Sequence, residues 1–431
     1  MNHPASPQPD ALLNNLRLLC AQSSVSGQTR ELTECADSVV AILRDVGLDC
    51  RILPTAGAPI VIGRYDAGAE RTLLLYGRYD VPPAGLRRSW SIDPFRPTVR
   101  DNKVYARGAV VKGELVARAA ALQTLIEQKV PLNITFVVEG ESLIGSPNLG
   151  AAREAIGASN LSLWSGGGFD SAGLPLFYTG VKGLLQVELQ VATATTVVPA
   201  TYAATVPNPI WTLVMALSSI KSEFEEILIE GFYDEIAPPS RQELNTVQGL
   251  DVGDQERRKA WGLQQFVANV GGAMLTRTET FSPTVNISNL NVNSSTAPAI
   301  PQRASAEIQF QLVPDLQPAR LFELLQTHLQ NRGFNDLHIK LLPGAYKPLL
   351  SAELPIDAAQ AAVPIFGKPA HVLPLTPFAA PAALLAPDVP LLSCGLERPS
   401  SSILGADEHV PFEDVMAHTR LMIELITRIA V

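Results

Sequence analysis

The sequence predicts an α/β protein in which a central mixed, largely parallel sheet is built by both ends of the chain and a smaller α+β unit is inserted between them. Three observations carry that prediction. Short apolar runs of strand length alternate with helical patterns as far as about residue 183, strict apolar–polar alternation takes over from Leu184, and the first texture returns near Leu349. One unit over 1–183 and 349–431, with 184–348 inserted, explains this order.

After a polar start, PDALLNNLRLLCAQ and TRELTECADSVVAILRDVGL place apolar residues at helical spacing, and the second stops at a glycine, as helices often do. APIVIGRY, TLLLYGRY and NITFVVEG are continuous apolar runs, the pattern of buried strands in a largely parallel sheet. Between the last two lies GELVARAAALQTLIEQ, a helix with Leu115, Ala119, Leu122 and Ile126 on one face. In the inserted unit LQVELQV alternates with period two, Ala192 to Thr205 is an Ala/Thr-rich low-complexity stretch, and a long helix starts at Pro209. The Ser/Asn/Pro-rich FSPTVNISNLNVNSSTAPAIPQ precedes a second alternating strand, ASAEIQFQLVP, and a helix from Pro318 to about Asn331. The helical pattern PIDAAQAAVPIFG, the Pro/Ala-rich PFAAPAALLAPDVP, a short strand at Leu391 to Cys394 and a closing helix from Phe412 complete the first unit. No internal repeat is present.

Composition narrows the function. A net charge of −9 with no Lys/Arg cluster leaves no electrostatic footprint for nucleic acid or an anionic membrane. The start has no basic segment followed by an apolar one, and no apolar run reaches membrane-spanning length, so a cytoplasmic chain is expected. Cys20, Cys35, Cys50 and Cys394 have no CxxC spacing and read as small buried hydrophobes.

Standard catalytic motifs are absent: no HExxH, no HxH or HxD pair, no GxSxG, no Walker or dinucleotide glycine pattern. Six histidines, His3, His328, His338, His371, His409 and His418, are scattered, and only His409, in ADEHVPFED, has acidic neighbours. Polar residues at strand ends remain. Arg78 and Asp80 lie two apart after TLLLY, as do Glu139 and Glu141 after ITFVV, and Ser165 with three glycines follows another apolar run. Ligands bind at strand carboxyl ends in α/β sheets; structural ion pairs and tight turns explain the same residues equally well.

LLLYGRYDVPPAG, WSIDPFRPTVRDNKVYARGAVVKGEL, FVVEGESLIGSPNL, YTGVKGLLQVELQV, TVPNPIW, GFYDEI, LVPDLQP and PFEDV resemble, in order and over almost the whole chain, the zinc-dependent aminoacylase, carnosine dipeptidase and succinyl-diaminopimelate desuccinylase family. The resemblance implies a catalytic α/β domain in two segments with an inserted lid domain through which members dimerise. It also implies hydrolysis of an amide next to a carboxylate by two zinc ions. Carried over position by position, the implied ligand set is missing. The His of the family's GHxD segment falls on Arg78, with its orienting Asp kept as Asp80. The bridging Asp falls where RGAVVKG offers Val110 and Val111; the general-base Glu and a ligand Glu fall on Ser142 and Leu143; a ligand Asp falls on Gly166; the last ligand His falls on Leu404, with Asp407 and Glu408 in acidic positions. In the lid, the implied oxyanion His aligns with Val198 and an Arg with Gln311; beyond it, a carboxylate-gripping segment aligns with LTPFA from Leu375.

Val, Leu and Gly offer a metal no donor, and Arg is a permanent cation. The expectation is therefore no metal and no cofactor, although the family would use two zinc ions. Arg78 is expected either to pair with Asp80 or to grip a ligand carboxylate where a zinc would sit. Three functions follow. One is a pseudoenzyme with a binding or assembly role. The second is a metal-independent hydrolase or transferase acting on a peptide or N-acyl amino acid with Arg78, Asp80, Lys112, Glu141, Ser142 and Glu408 as candidates, a Lys112–Ser142 pair among them. The third is a surviving metal site using His409 or Glu408. Expected partners are a second copy through the lid or an active relative, and a small peptide or carboxylate ligand.

Overall fold

The computed structural model describes residues 8–292, 298–351, 354 and 357–431; His3, the segment 293–297 and the first two residues of PIDAAQAAVPIFG lie outside the described residues. The elements that position the site are strands β1 (Asp49–Leu53), β2 (Ile60–Tyr65), β3 (Thr72–Arg78), β4 (Asn133–Glu139), β5 (Leu161–Ser165), β6 (Leu176–Tyr178), β7 (Gly183–Ala192), β8 (Thr284–Val292), β9 (Arg303–Leu312), β10 (Leu337–Leu341), β11 (His371–Leu373) and β12 (Leu391–Cys394). With them stand helices α1 (Pro9–Cys20), α2 (Thr29–Asp45), α3 (Ala109–Glu127), α4 (Pro209–Ile220), α5 (Pro318–Asn331) and α6 (Phe412–Ala430).

Eight strands form the central sheet in the order β1-β2-β4-β3-β5-β12-β6-β11. The β4-β3, β3-β5, β5-β12 and β6-β11 pairings are parallel and the others antiparallel, a mixed sheet. Leu73, Leu74 and Leu75 of β3 are all buried because both faces are covered. α1, α2, α3 and α6 close one face, while Leu149, Ile156, Ala382 and Leu385 pack on Trp164 and Val137 on the other. α3 lies between the sheet and α6 and is buried almost all round, so its charged residues must find partners inside the protein.

The inserted sheet is antiparallel throughout, in the order β8-β9-β7-β10. Leu185, Val187, Leu189 and Val191 of β7 and Ala304, Ala306, Ile308 and Phe310 of β9 point into a core with α4 and α5, leaving Gln186, Glu188 and Gln190 on the open face. Period-two alternation over both strands produces this two-sided sheet.

Local differences from the sequence reading have physical causes. The helix begun at Pro209 stops at Ile220: Lys221 is extended, and Ser222 Oγ takes the N–H groups of Phe224 and Glu226. β8 hides in the Ser/Asn/Pro-rich passage because it is an edge strand exposed on both faces, with no apolar alternation to mark it. The helical pattern after 355 breaks into a 3-10 turn, Ala358–Ala362, and one helical turn, Val363–Phe366.

Candidate functional site

β3 and β4 lie side by side, with Arg78 across from Glu139, and deliver their last residues to one crevice. Asp80 is buried there and accepts three hydrogen bonds: Ser26 Oγ donates to Oδ2 at 2.7 Å, Ser142 Oγ to Oδ1 at 2.7 Å, and the Leu143 N–H to Oδ2 at 3.0 Å. This corrects the expected Arg78–Asp80 pair. The chain leaves the sheet after Arg78 and Val81 bridges to Val25, turning Asp80 toward Ser26. Among the described residues Arg78 makes no ion pair within 4 Å, and its buried Nε has no hydrogen-bond partner.

The charge of Arg78 acts instead on buried carboxyls. Burial pushes the Glu139 carboxyl up to about 8; hydrogen bonds from Tyr76 Oη and from Ser146 Oγ, the latter at 2.8 Å, oppose this, as does Arg78, while Asp80 adds to it. Burial likewise raises Glu114, against the pull of Arg118 and then Arg78. Glu141 receives Asn148 Nδ2 at 2.6 Å, and Gly57 lies so close that a Cβ there would sit 2.0 Å from Glu141 Oε1. A side chain at position 57 would therefore have to displace the Glu141 carboxylate.

Two of the other mapped positions, Val110 and Gly166, are closed by packing or by internal pairing. Val110 is buried in the first turn of α3, and its N–H donates to Glu408 Oε1 at 3.4 Å. Glu408 Oε2 accepts Arg107 Nη1 at 2.9 Å, with both side chains almost wholly buried. Arg107 also donates to the carbonyls of Pro83 and Leu404 and lies over the Trp90 ring. Glu408 thus caps a helix N-terminus, where an anion is favoured, although burial still raises its pKa. Gly166 has φ +118°, and a Cβ there would meet the Phe378 ring at 2.7 Å, so an aromatic side chain fills the place to which the family's ligand Asp maps. Leu143 and Leu404 are exposed, Leu404 at 62% and with φ +68°, a left-handed backbone that costs a non-glycine residue roughly 1–2 kcal/mol.

The Lys112–Ser142 pair does not form. Lys112 Nζ donates to the carbonyls of Leu19 at 2.8 Å and Gln22 at 2.9 Å, capping the end of α1, while Ser142 Oγ donates to Asp80. The histidines stay dispersed. His409 packs at a tilt against the Tyr105 ring and approaches Lys103 Nζ at 3.4 Å, His371 pairs with Asp170 at 3.2 Å, and burial pushes His418 down to about 3.

Arg118 is the residue that sequence reasoning missed. Fully buried in α3, it pairs with Glu114 at 2.9 Å and donates to the carbonyls of Tyr76, Leu163, Trp164 and Cys394, tying the ends of β3, β5 and β12 together beneath the crevice. The signal was a Glu and an Arg four apart inside the apolar GELVARAAAL.

A crevice at the strand ends of a mixed sheet, beside an inserted antiparallel unit, is the arrangement that the comparisons meet. The profile of "Peptidase family M20/M25/M40" matches residues 74–428. The chain belongs to that family. It is 25% identical over 317 residues to the Beta-Ala-His dipeptidase of Rattus norvegicus, covering 69% of this chain and 63% of that protein. It is 26% identical over 315 residues to the Cys-Gly metallodipeptidase dug1 of Schizosaccharomyces pombe, covering 69% and 65%. The match thus spans less than two thirds of these curated relatives. The M20 family metallo-carboxypeptidase Sso-CP2 of Sulfolobus solfataricus superposes with a TM-score of 0.88 at 26% identity over 97% of this chain and 99% of that one. Human carnosine dipeptidase 1, at 21% identity and TM-score 0.84, shares the fold over 98% of this chain and 97% of that one. Among the described residues no helix is long and apolar enough to cross a membrane.

Kinship corrects the cofactor expectation. The relatives include a metallodipeptidase and a metallo-carboxypeptidase by name, so a metal is what family membership brings, and the expectation of no cofactor does not stand. Five changed side chains could not decide the matter, because zinc accepts several donor sets and buried carboxyls remain at Asp80, Glu139, Glu141 and Glu408. Fit is a separate question. Among the described residues no group of three or more His, Cys, Asp and Glu is arranged to hold a metal ion, and Asp80 and Glu408 are engaged by protein donors. The residues present do not fit the two-zinc centre that the resemblance implies.

Proposed function

We propose that this M20-family chain binds a peptide-like or carboxylate-bearing ligand at the strand-end crevice without hydrolysing it, and that it assembles through the inserted unit. The observation that carries the reading is the engagement of Asp80 by Ser26, Ser142 and the Leu143 N–H, three hydrogen bonds that commit the carboxylate to the protein's own donors. The engagement of Lys112 and Glu408 and the ring of Phe378 against Gly166 support it. Arg78, partly exposed and without an ion pair among the described residues, is the group offered to a carboxylate. The division into 1–183 with 349–431 and 184–348 is part of the proposal, as is a cytoplasmic setting, which four buried free cysteines suit.

Calorimetry with an N-acetyl amino acid tests the reading. Saturable binding, loss of that binding in Arg78→Met and recovery of the ligand intact are expected; cleaved ligand, or affinity indifferent to Arg78, would overturn it. A metal-independent hydrolase is favoured by one observation, a buried Glu139 carboxyl pushed up to about 8, which suits proton transfer near neutrality. It requires chelator-resistant turnover that disappears in Glu139→Gln.

A further inference from the structure

The open face of the inserted sheet carries polar groups that the strand-end crevice does not use. In the antiparallel register Asn291 of β8, Ser305 of β9, Gln190 of β7 and His338 of β10 form one row across four strands. The next row holds Asn289, Glu307, Glu188 and Lys340, and Arg303 stands across from Ala192. Glu188, Gln190, Asn291, Arg303 and His338, with Asp336 just before β10, line a cavity of about 510 Å³, a volume within the usual range for small-ligand sites.

Charges of both signs face this cavity without neutralising one another: among the described residues Glu188, Arg303, Asp336 and His338 form no ion pair within 4 Å. Glu188 and Glu307 stand directly opposite across β7 and β9, an arrangement that destabilises a sheet unless a cation joins it. Lys340 flanks Glu188 without pairing to it. Along β7 the positions of Glu188 and of Ala192, opposite Arg303, are four residues apart, about 13 Å at strand rise. Amide and hydroxyl groups of Gln190, Asn291 and Ser305 lie between. Two carboxylates, Glu188 and Glu307, outweigh Lys340 at one end, and at the other Arg303 on β9 is separated from Asp336, on the β10 side, by the width of β7; with hydrogen-bonding groups between, a molecule with an ammonium at the first end and a carboxylate on the β9 side of the second fits this order.

We propose that this cavity binds a short zwitterionic chain of peptide length, its ammonium group at Glu188, its carboxylate at Arg303 and its amide groups over Gln190 and Asn291. A single amino acid is too short to bridge the two ends; three extended residues span about 10 Å, and the side chains cover the remainder. The site is separate from the strand-end crevice.

Triglycine titrated into the full chain, read by calorimetry, tests this, with glycine, N-acetyl-triglycine and triglycinamide as controls. Triglycine is expected to bind saturably and roughly tenfold more tightly than any control. In an Arg78→Met background, which silences the strand-end crevice, triglycine is still expected to bind, and Arg303→Gln and Glu188→Gln are each expected to weaken that binding by about tenfold. Both substituted positions are outside the core, and a thermal melt establishes that the variants fold. Equal binding of the blocked peptides, binding that survives both substitutions, or binding lost in Arg78→Met would each overturn the proposal. The last result would place triglycine in the strand-end crevice.

Discussion

Arg78 ends a buried strand among carboxyls that burial pushes toward the neutral form, and it makes no ion pair with Asp80. The three donors on Asp80 have a direct consequence: Asp80→Ala leaves Ser26 Oγ, Ser142 Oγ and the Leu143 N–H without an acceptor, at about 1–3 kcal/mol for each group that stays buried and unpaired, read as a drop in the denaturation midpoint. Glu139 has a pH signature. Its folded pKa, about 8, lies above its ordinary 4.5, so the folded state holds a proton that the unfolded state has released between those values, and stability falls as pH rises through that window. Glu139→Gln removes this term, so the stability difference, wild type minus variant, is expected to decline from pH 5 to about pH 8 and to level off above it. Lys182 acts with the opposite sign at higher pH, because burial holds it at about 8 against an ordinary 10.5, and stability gained from it rises only above pH 8. A difference that is flat from pH 5 to 8 would contradict the account of Glu139.

At the scale of elements, α3 organises the site. Its N-terminus meets the Arg107–Glu408 pair and its middle supplies Arg118 to the ends of three strands. Glu408→Ala strands the Arg107 guanidinium in the interior and is expected to cost roughly 3–5 kcal/mol, while the Arg107→Met/Glu408→Leu double substitution recovers most of it in a thermodynamic cycle. Gly166→Ala meets both a left-handed backbone and the Phe378 ring, and a loss of more than about 1 kcal/mol is expected in the same measurement. The sequence reading found β3, β4, β7, β9 and the long helices because period and apolar run-length speak for themselves there. It missed β8, an exposed edge strand, and the internal capping by Lys112 and Arg118, because a buried cation bonded to backbone carbonyls leaves no pattern in the one-dimensional chain. β8 is also exposed as an unpaired edge, and α4 presents Trp211, 64% exposed, beside Val214 and Met215. If a second copy covers these surfaces, Trp211→Glu is expected to shift light scattering from dimer to monomer mass; a wild-type chain already monomeric would remove assembly from the proposal.

For the whole molecule, the family and the two-part architecture were legible because segments that carry them are spread over nearly the full chain, whereas the chemistry was legible only as substitutions. Arg78, Val110, Leu143, Gly166 and Leu404 could be read as changed, but not how their surroundings respond. The ring of Phe378 beside Gly166 and the turn that carries Asp80 to Ser26 depend on contacts between residues far apart in sequence. Metal use was misjudged for the same reason, since donor identity at five positions does not report on the rest of a fold shared with metallopeptidases. The central claim is that the groups needed to activate water at the strand ends are held by the protein itself. Its most direct test is the turnover of dipeptides and N-acyl amino acids by the full chain, purified without a histidine tag and supplied with zinc: the account predicts no hydrolysis above a protein-free control, and steady turnover that is abolished by Asp80→Ala would contradict it.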